Sequence, residues 1–462
     1  MEAFSKSNPE AFANFLRAKY DAYTGATTAS AYPYYLIIEP SDVCQLRCPT
    51  CATGRENENR KQGGIETAAR ESRYVMKPEL FDALLEEMGQ YLFMIMFYNW
   101  GEPLLNKALP DFVSKAHSQG IQTEVHSNLS LPIDQGRAEA LLAAGLDTLV
   151  GSIDGFSQES YQVHRVGGDL ALVKKNLELL AATRDRLGLN TRIIYKMLVF
   201  KHNEHELKAA KRYCQKLGIQ FSSDEAGIYD ERWLPSHRAG EKPHIPKRIV
   251  EDPTQWEWAE EYFGSLEKES FYAPYRDNDD EDTPNYCSWH YGVSLVTGGG
   301  PVSPCCGTAK DRDDFGAVVP GKTSFAEVWN NEHFRHARGV LSGDIPAGTT
   351  EPDTLCDHCF FPRIVQHVYS IHDMQIIAAF HRHIGKEKPA LEAGFRIMSR
   401  IRYGAFISAL LRRKWFHPIM MLGTSSKSEI DMSAFIQFYK EHLLTDTSFL
   451  PEVDPLKLKT VN

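Results

Sequence analysis

The chain is 462 residues long and carries a formal net charge of −10 at pH 7. Its 42% hydrophobic and 24% charged residues fit a globular protein with a full core, and the length suggests about two to four domains. The acidic balance argues against a general nucleic-acid binder, which needs a basic face for phosphate, and no run nears the roughly 18–20 apolar residues of a membrane-spanning helix.

Residues 1–33 mix charged and aromatic residues at helical spacing and have no apolar signal-peptide core. The expectation is an N-terminal helical extension on a cytoplasmic protein. From about residue 34 to 230, short apolar runs alternate with amphipathic stretches. Strands are expected at 34–39, 91–98, 121–127, 148–153, 191–200 and 219–222. Helices are expected from Pro78 and over about 109–119, 138–144 and 170–187. Another holds Leu207, Ala210, Cys214 and Leu217, introduced by a capping-box pattern at Asn203 and Glu206. Six strand–helix units in a row imply a parallel sheet with right-handed crossovers, curved into a partial barrel with its site at the strand C-termini.

After residue 230 the pattern breaks. Residues 231–284 read as a linker or insert ending in the acidic run at 276–282. A cysteine-bearing module is expected at 285–365 and a mostly helical region at 366–462. Residues 393–428 contain no acid but hold Arg396, Arg400, Arg402, Arg412, Arg413, Lys414 and Lys427. That basic stretch reads first as a helix docked on the acidic barrel, with contact to a membrane surface or partner protein as the alternative.

The nine cysteines are more informative than the charge. Cys44, Cys48 and Cys51 form one group, Cys287, Cys305, Cys306, Cys356 and Cys359 another, and Cys214 stands alone on an apolar helix face as a core residue. Clustered cysteines without a secretion signal point to metal or redox chemistry before disulfides. In Cys44-Gln-Leu-Arg-Cys48-Pro-Thr-Cys51, three thiolates on one short loop can hold three irons of a [4Fe–4S] cubane and leave the fourth open to a ligand.

This motif, on the loop after the first strand, resembles the hallmark of the radical S-adenosylmethionine (SAM) superfamily. The resemblance covers about residues 34–365. It implies an α/β fold, a partial (β/α)6 TIM-like barrel. It also implies that SAM chelates the open iron and is cleaved to a 5′-deoxyadenosyl radical that abstracts hydrogen from a substrate. Asn99-Trp100-Gly101-Glu102-Pro103 resembles the family's GGEP motif at the SAM amino group, with Trp100 in place of the first glycine. Gly101, Glu102 and Pro103 are therefore expected cofactor contacts, with Ser127 and Asn128 at the end of the third strand. Ser152 and Asp154 on the fourth strand and Arg165, as a carboxylate partner, complete the expected SAM set. Many relatives have an aromatic residue just before the third cysteine, where this chain has Thr50. Adenine packing is then expected elsewhere, near Leu198.

Cys287, Cys305, Cys356 and Cys359, with Phe315-Gly316 and Val328-Trp329-Asn330-Asn331 between them, resemble a Twitch/SPASM-type auxiliary module. Cys306 is the spare thiol and an alternative to Cys305. The resemblance implies a second [4Fe–4S] cluster handling electrons, with zinc as the rival occupant. Asp224 and Glu225, after the sixth strand, are the candidate acid–base groups by position. His333, His336, His381 and His383 are expected on the solvated surface. The whole reads as a radical SAM enzyme acting on a carbohydrate- or cyclitol-like small molecule, with a flavodoxin- or ferredoxin-type electron donor. A ribosomal-peptide maturase is the alternative, and a non-catalytic iron–sulfur or zinc protein is the alternative of another class.

Overall fold

A computed structural model of the chain describes residues 9–63, 73–225, 233–240, 287, 289–348 and 350–359. The acidic run at 276–282, the basic stretch at 393–428, His381 and His383 lie outside the described residues, as does the region 366–462. No described helix is long and apolar enough to cross a membrane.

Helix α1 (Pro9–Thr24) leads to strand β1 (Tyr35–Ile38), helix α2 (Ala52–Lys61) and helix α3 (Pro78–Met88). There follow β2 (Met94–Phe97), α4 (Leu109–Ser118), β3 (Gln122–Ser127), α5 (Gln135–Ala143) and β4 (Thr148–Ser152). Then come α6 (Gln158–His164), α7 (Leu170–Arg186), β5 (Arg192–Val199), α8 (Leu207–Lys216) and β6 (Gln220–Glu225). Two further strands, β7 (Val293–Val296) and β8 (Val302–Ser303), precede helices at Phe325–Trp329 and Glu332–Ser342.

The sheet order is β6-β5-β4-β3-β2-β1-β7-β8, parallel throughout except for the β7–β8 pair. Leu36 and Ile38 stand beside Ile95 and Phe97, and that row runs on through Val125, Leu149 and Ile193. All of them join one buried cluster with the apolar stripes of α3, α4, α5, α7 and α8. The crossover helices therefore cover a single face. Side chains alternate along a strand, so Ile37, Met96, Glu124, Val150 and Lys196 face the opposite, concave side. Among the described residues no crossover helix covers that side, and the sheet curls around it as a partial barrel. Helix α1 closes the far end: Phe15 packs edge-on against Tyr34 at 5.0 Å, and Asn14 accepts from the backbone N–H of Tyr32 at 2.8 Å.

Several expectations need correction. Asn203 and Glu206 form no capping box. Asn203 instead donates to the carbonyls of Asp154 and Leu198 at 2.9 and 2.8 Å, while Glu206 accepts from the N–H groups of Phe156 and Ser157 at 2.7 and 3.0 Å. Asp224 and Glu225 do not follow β6 but are its last two residues. His336 is buried against Asp357 at 3.0 Å rather than solvated. The segment expected to be a cysteine module also joins the barrel, because its β7 extends the barrel sheet beyond β1.

Candidate active site

Parallel strands bring all their C-terminal ends to one rim, and the first cysteine group sits there, between β1 and α2. The loop is held from several sides. Asn57 of α2 donates to the carbonyls of Cys44 and Leu46 at 2.8 and 2.7 Å, and the Arg47 N–H donates to the Val166 carbonyl at 2.9 Å. Gln45 donates to the Asn128 side chain at 2.9 Å, whose own amide lies 3.7 Å from Cys44 Sγ. A Cβ on Gly54 would lie 2.3 Å from the Cys48 carbonyl oxygen, so α2 can begin this close to the loop only with glycine there. Burial pushes all three thiols up, Cys51 to about 11, helped there by Cys48; at Cys48 burial outweighs the opposing pull of Arg165. Three half-buried to buried thiols that resist ionisation alone are a donor set suited to positive charge from metal, since iron ligation requires thiolate.

The turn after β2 is built around carboxylates. Glu39, a residue the sequence reading did not select, accepts from the Gly101 N–H at 2.6 Å and from Asn99 at 3.3 Å. A Cβ on Gly101 would stand 1.7 Å from the Ser41 carbonyl oxygen, so this residue brings the turn against the cysteine loop. Glu102 is fully buried. It accepts from Ser127 Oγ at 2.7 Å, the Asn128 N–H at 2.8 Å and the Leu104 N–H at 3.0 Å, and burial still raises its pKa against those bonds. Glu102, Ser127 and Asn128 thus form one network behind the loop, and Pro103 opens the short turn Pro103–Leu105. Trp100 reaches outward: its carbonyl lies 3.9 Å from Cys51 Sγ, and its indole N–H donates to the Thr308 carbonyl at 2.6 Å.

Ser152 ends β4 half-buried, and Asp154 follows in a left-handed conformation with φ 59°. Asp154 is fully buried, 2.6 Å from Arg165 Nη2 and 2.9 Å from His164 Nδ1, and it accepts from the Leu198 N–H at 2.7 Å. Burial alone would raise its pKa, but Arg165 and His164 overcome this and hold it down to about 2. Burial also lowers the His164 pKa against the opposing pull of Asp154. With Nδ1–H committed to Asp154, its Nε2 accepts from the Thr50 hydroxyl at 2.6 Å. Thr50 therefore anchors the cysteine loop by a hydrogen bond. His164 also lies 4.8 Å from the Phe200 ring, which meets Trp233 at 5.3 Å and stacks on His202 at 5.2 Å. Arg165 comes within 3.9 Å of Cys48 Sγ, and its Nε is buried with no hydrogen-bond partner among the described residues. An unsatisfied guanidinium nitrogen beside the thiols fits an anionic group such as the carboxylate of SAM.

The concave side also carries polar groups. Tyr98 stacks on His126 at 4.4 Å, and His126 Nε2 meets Glu124 at 2.6 Å. Lys196 pairs with Asp224 at 3.1 Å, while Glu225 is taken by His237 at 2.8 Å and Arg238 at 3.5 Å. Neither Glu124 nor His126 was singled out from the sequence, although their two-residue spacing within a strand places both on one face.

The structure also gathers the second cysteine group. Burial raises the thiols of Cys287, Cys305 and Cys356, with further contributions from one another and from Cys359; Cys287 reaches about 12. Cys306 raises the thiols of Cys305 and Cys287 and also the Tyr98 hydroxyl. Asp357, between Cys356 and Cys359, is buried and accepts from Gly348 N, Thr354 N and Thr354 Oγ1 at 3.0, 2.9 and 2.7 Å. His290 Nε2 lies 3.1 Å from Cys356 Sγ. No three Cys, His, Asp or Glu side chains among the described residues close on the position of a single metal ion.

Residues 38–214 match the family described as the Radical SAM superfamily. Among curated proteins, the PqqA peptide cyclase of Granulibacter bethesdensis is 25% identical over 186 residues, 40% of this chain and 45% of that protein. A protein of Methanococcus maripaludis named "Probable GTP 3',8-cyclase" is 29% identical over 179 residues, 38% of this chain and 53% of its own. The chain thus spans about half the length of these relatives. Among solved structures, Streptococcus suis SuiB bound to S-adenosylmethionine is 14% identical with a TM-score of 0.44, covering 71% of this chain and 72% of that one.

Proposed function

We propose that this chain, whose residues 38–214 belong to the radical SAM superfamily, uses Cys44, Cys48 and Cys51 to hold a [4Fe–4S] cluster with one iron open to SAM. The supporting observation is that the three thiols share the loop after β1, with Cys48 Sγ 3.9 Å from Arg165, whose buried Nε has no hydrogen-bond partner among the described residues. When bound, such a cluster supplies one electron that splits SAM into methionine and a 5′-deoxyadenosyl radical, which takes a hydrogen atom from the substrate.

The chain's own residues bind and orient. Arg165 receives the SAM carboxylate, with Asp154 holding the guanidinium in place. The Gly101–Pro103 turn, fixed by Glu39 and Glu102, borders the SAM amino group, with Ser127, Asn128 and Ser152 around it. His202 and Trp233 offer the aromatic surface that Thr50 does not. The substrate enters the concave side, where Tyr98, the Glu124–His126 pair and the Lys196–Asp224 pair present hydroxyl, imidazole and charged groups. A polar, carbohydrate- or cyclitol-like small molecule suits that lining. Asp224 is then the acid–base group in reach, and Glu225, which alternates to the other face of β6 and pairs with His237 and Arg238, is the secondary candidate. A peptide substrate is the second reading, favoured by the 25% identity to a PqqA peptide cyclase. We assign Cys287, Cys305, Cys356 and Cys359 as the residues that would hold an auxiliary [4Fe–4S] cluster, which would be placed to take an electron from the substrate.

Anaerobic reconstitution tests this, with iron and sulfide counts and a search for 5′-deoxyadenosine after SAM and dithionite. Two clusters require about eight irons per chain, and SAM cleavage should vanish when Cys44, Cys48 and Cys51 are replaced by Ala. Zinc in the second group with SAM still cleaved would remove the electron-accepting role alone. Absence of both iron and cleavage would overturn the whole reading.

A further inference from the structure

His290 lies three residues after Cys287 in sequence, in the short helix Trp289–Gly292, and is 2% exposed. Its Nε2 is 3.1 Å from Cys356 Sγ, and its Nδ1 is buried with no hydrogen-bond partner among the described residues. The ring is held where it stands. Phe334 meets it edge-on at 6.0 Å, Phe315 lies at 6.3 Å, and Arg338 Nε donates to the His290 carbonyl at 3.0 Å. A neutral imidazole has one N–H and one lone pair. Beside a sulfur that acts as a thiolate ligand, only the tautomer with hydrogen on Nε2 is attractive, because two lone pairs at 3.1 Å would repel.

We infer that His290 is a positioning residue of the second cysteine group, donating its Nε2–H to the Cys356 thiolate and raising the reduction potential of a [4Fe–4S] cluster held there. This rests on the assignment of that cluster proposed above. Reduction adds negative charge that is shared by the ligand sulfurs. A fixed donor on one sulfur therefore stabilises the reduced form more than the oxidised form. A higher potential makes the cluster a better acceptor for an electron leaving a substrate radical. Among the described residues the buried Nδ1 has no partner, a cost in stability that a plain packing role would not require.

The test uses the full chain with Cys44, Cys48 and Cys51 replaced by Ala, so that iron reports on the second group alone. Potentials are read by electron paramagnetic resonance during redox titration. His290→Leu should keep about four irons and shift the midpoint potential to more negative values. His290→Asn, too short to reach the sulfur but easier to pack, should shift it likewise. His290→Gln, which keeps an N–H near the Nε2 position, should return it toward the parent. Full iron with an unchanged potential in the Leu and Asn variants would overturn the inference while leaving the auxiliary cluster intact. Iron loss in those variants, or a directly coordinated imidazole nitrogen in the parent spectrum, would make His290 a ligand or an assembly residue and equally overturn it. Failure of the parent to bind iron at all would instead defeat the cluster assignment, and the inference with it.

Discussion

Asp154 shows how much one side chain can carry at this rim. Its carboxylate joins Arg165, His164 and the Leu198 N–H while fully buried. Removing the charge leaves a buried guanidinium without its counterion, so Asp154→Asn should cost about 3–5 kcal/mol in denaturant unfolding. The pH dependence has a definite sign. The folded pKa is lowered from 3.8 to about 2, so the contribution is full above the unfolded value and is lost as pH falls toward the folded one. It is worth about 2 kcal/mol at neutral pH. Stability of the parent should fall between about pH 4 and pH 2 by that amount, and the Asn variant should lack that component. The threonine beside Cys51 belongs to the same chain of contacts. Thr50→Val would leave the buried His164 Nε2 unsatisfied and should cost about 1–3 kcal/mol, read by thermal or denaturant melts. Asp154 and Arg165 are singled out in the sequence because their segments resemble known ones, but their pairing with each other is not something the resemblance gives. The His164–Thr50 link was not legible either, since it joins residues 114 apart in sequence and no local pattern encodes such a contact.

At the scale of elements, the turn after β2 is set by close approach. A Cβ at Gly101 would overlap the Ser41 carbonyl, a backbone atom that cannot rotate away. Gly101→Ala should therefore displace the turn against the cysteine loop and slow SAM cleavage about 100-fold, the scale on which a misplacement of about 1 Å acts. Measured 5′-deoxyadenosine formation in reconstituted protein checks this, and a near-parental rate would mean that the turn does not position SAM. Elsewhere, periodicity located the elements well and bounded them less well. The apolar run at 91–98 reads as strand throughout, yet residues 89–91 form a short helical turn and only Met94–Phe97 pair in the sheet. Helix α2 was missed because after Ala52 its residues are Thr, Gly and polar or charged side chains, with no apolar period to detect. The false capping box failed for a different reason. Asn203 and Glu206 have the right spacing, but both side chains serve the β4–α6 connection or the end of β5.

For the whole molecule, the decisive fact is that β1 has two neighbours. It pairs with β2 on one side and with β7, more than 250 residues later, on the other. An apolar strand buried on both faces reads the same in sequence whether its edge is covered or open, so the return of the chain to this edge was not visible. The second module is tied in further by side chains. Trp329 donates to the Ala31 carbonyl at 2.9 Å, and Asn330 accepts from the Ala29 N–H at 2.9 Å. Arg338, fully buried, donates to the carbonyls of Thr27, His290 and Trp329. Val296, Phe315, Phe325 and Phe334 belong to the same hydrophobic cluster as the barrel helices. If the barrel were an independent domain, a chain ending at residue 240 would melt cooperatively near the parent's temperature. The sheet order argues otherwise. Without β7, β1 would present an unpaired apolar edge, the kind of surface that drives strand-to-strand aggregation. The apolar side chains under residues 315–341 would be uncovered as well. The shortened chain should be insoluble or lack a cooperative transition by calorimetry. A soluble, cooperatively melting product would show that the sheet tolerates its open edge and that the module contributes to chemistry alone.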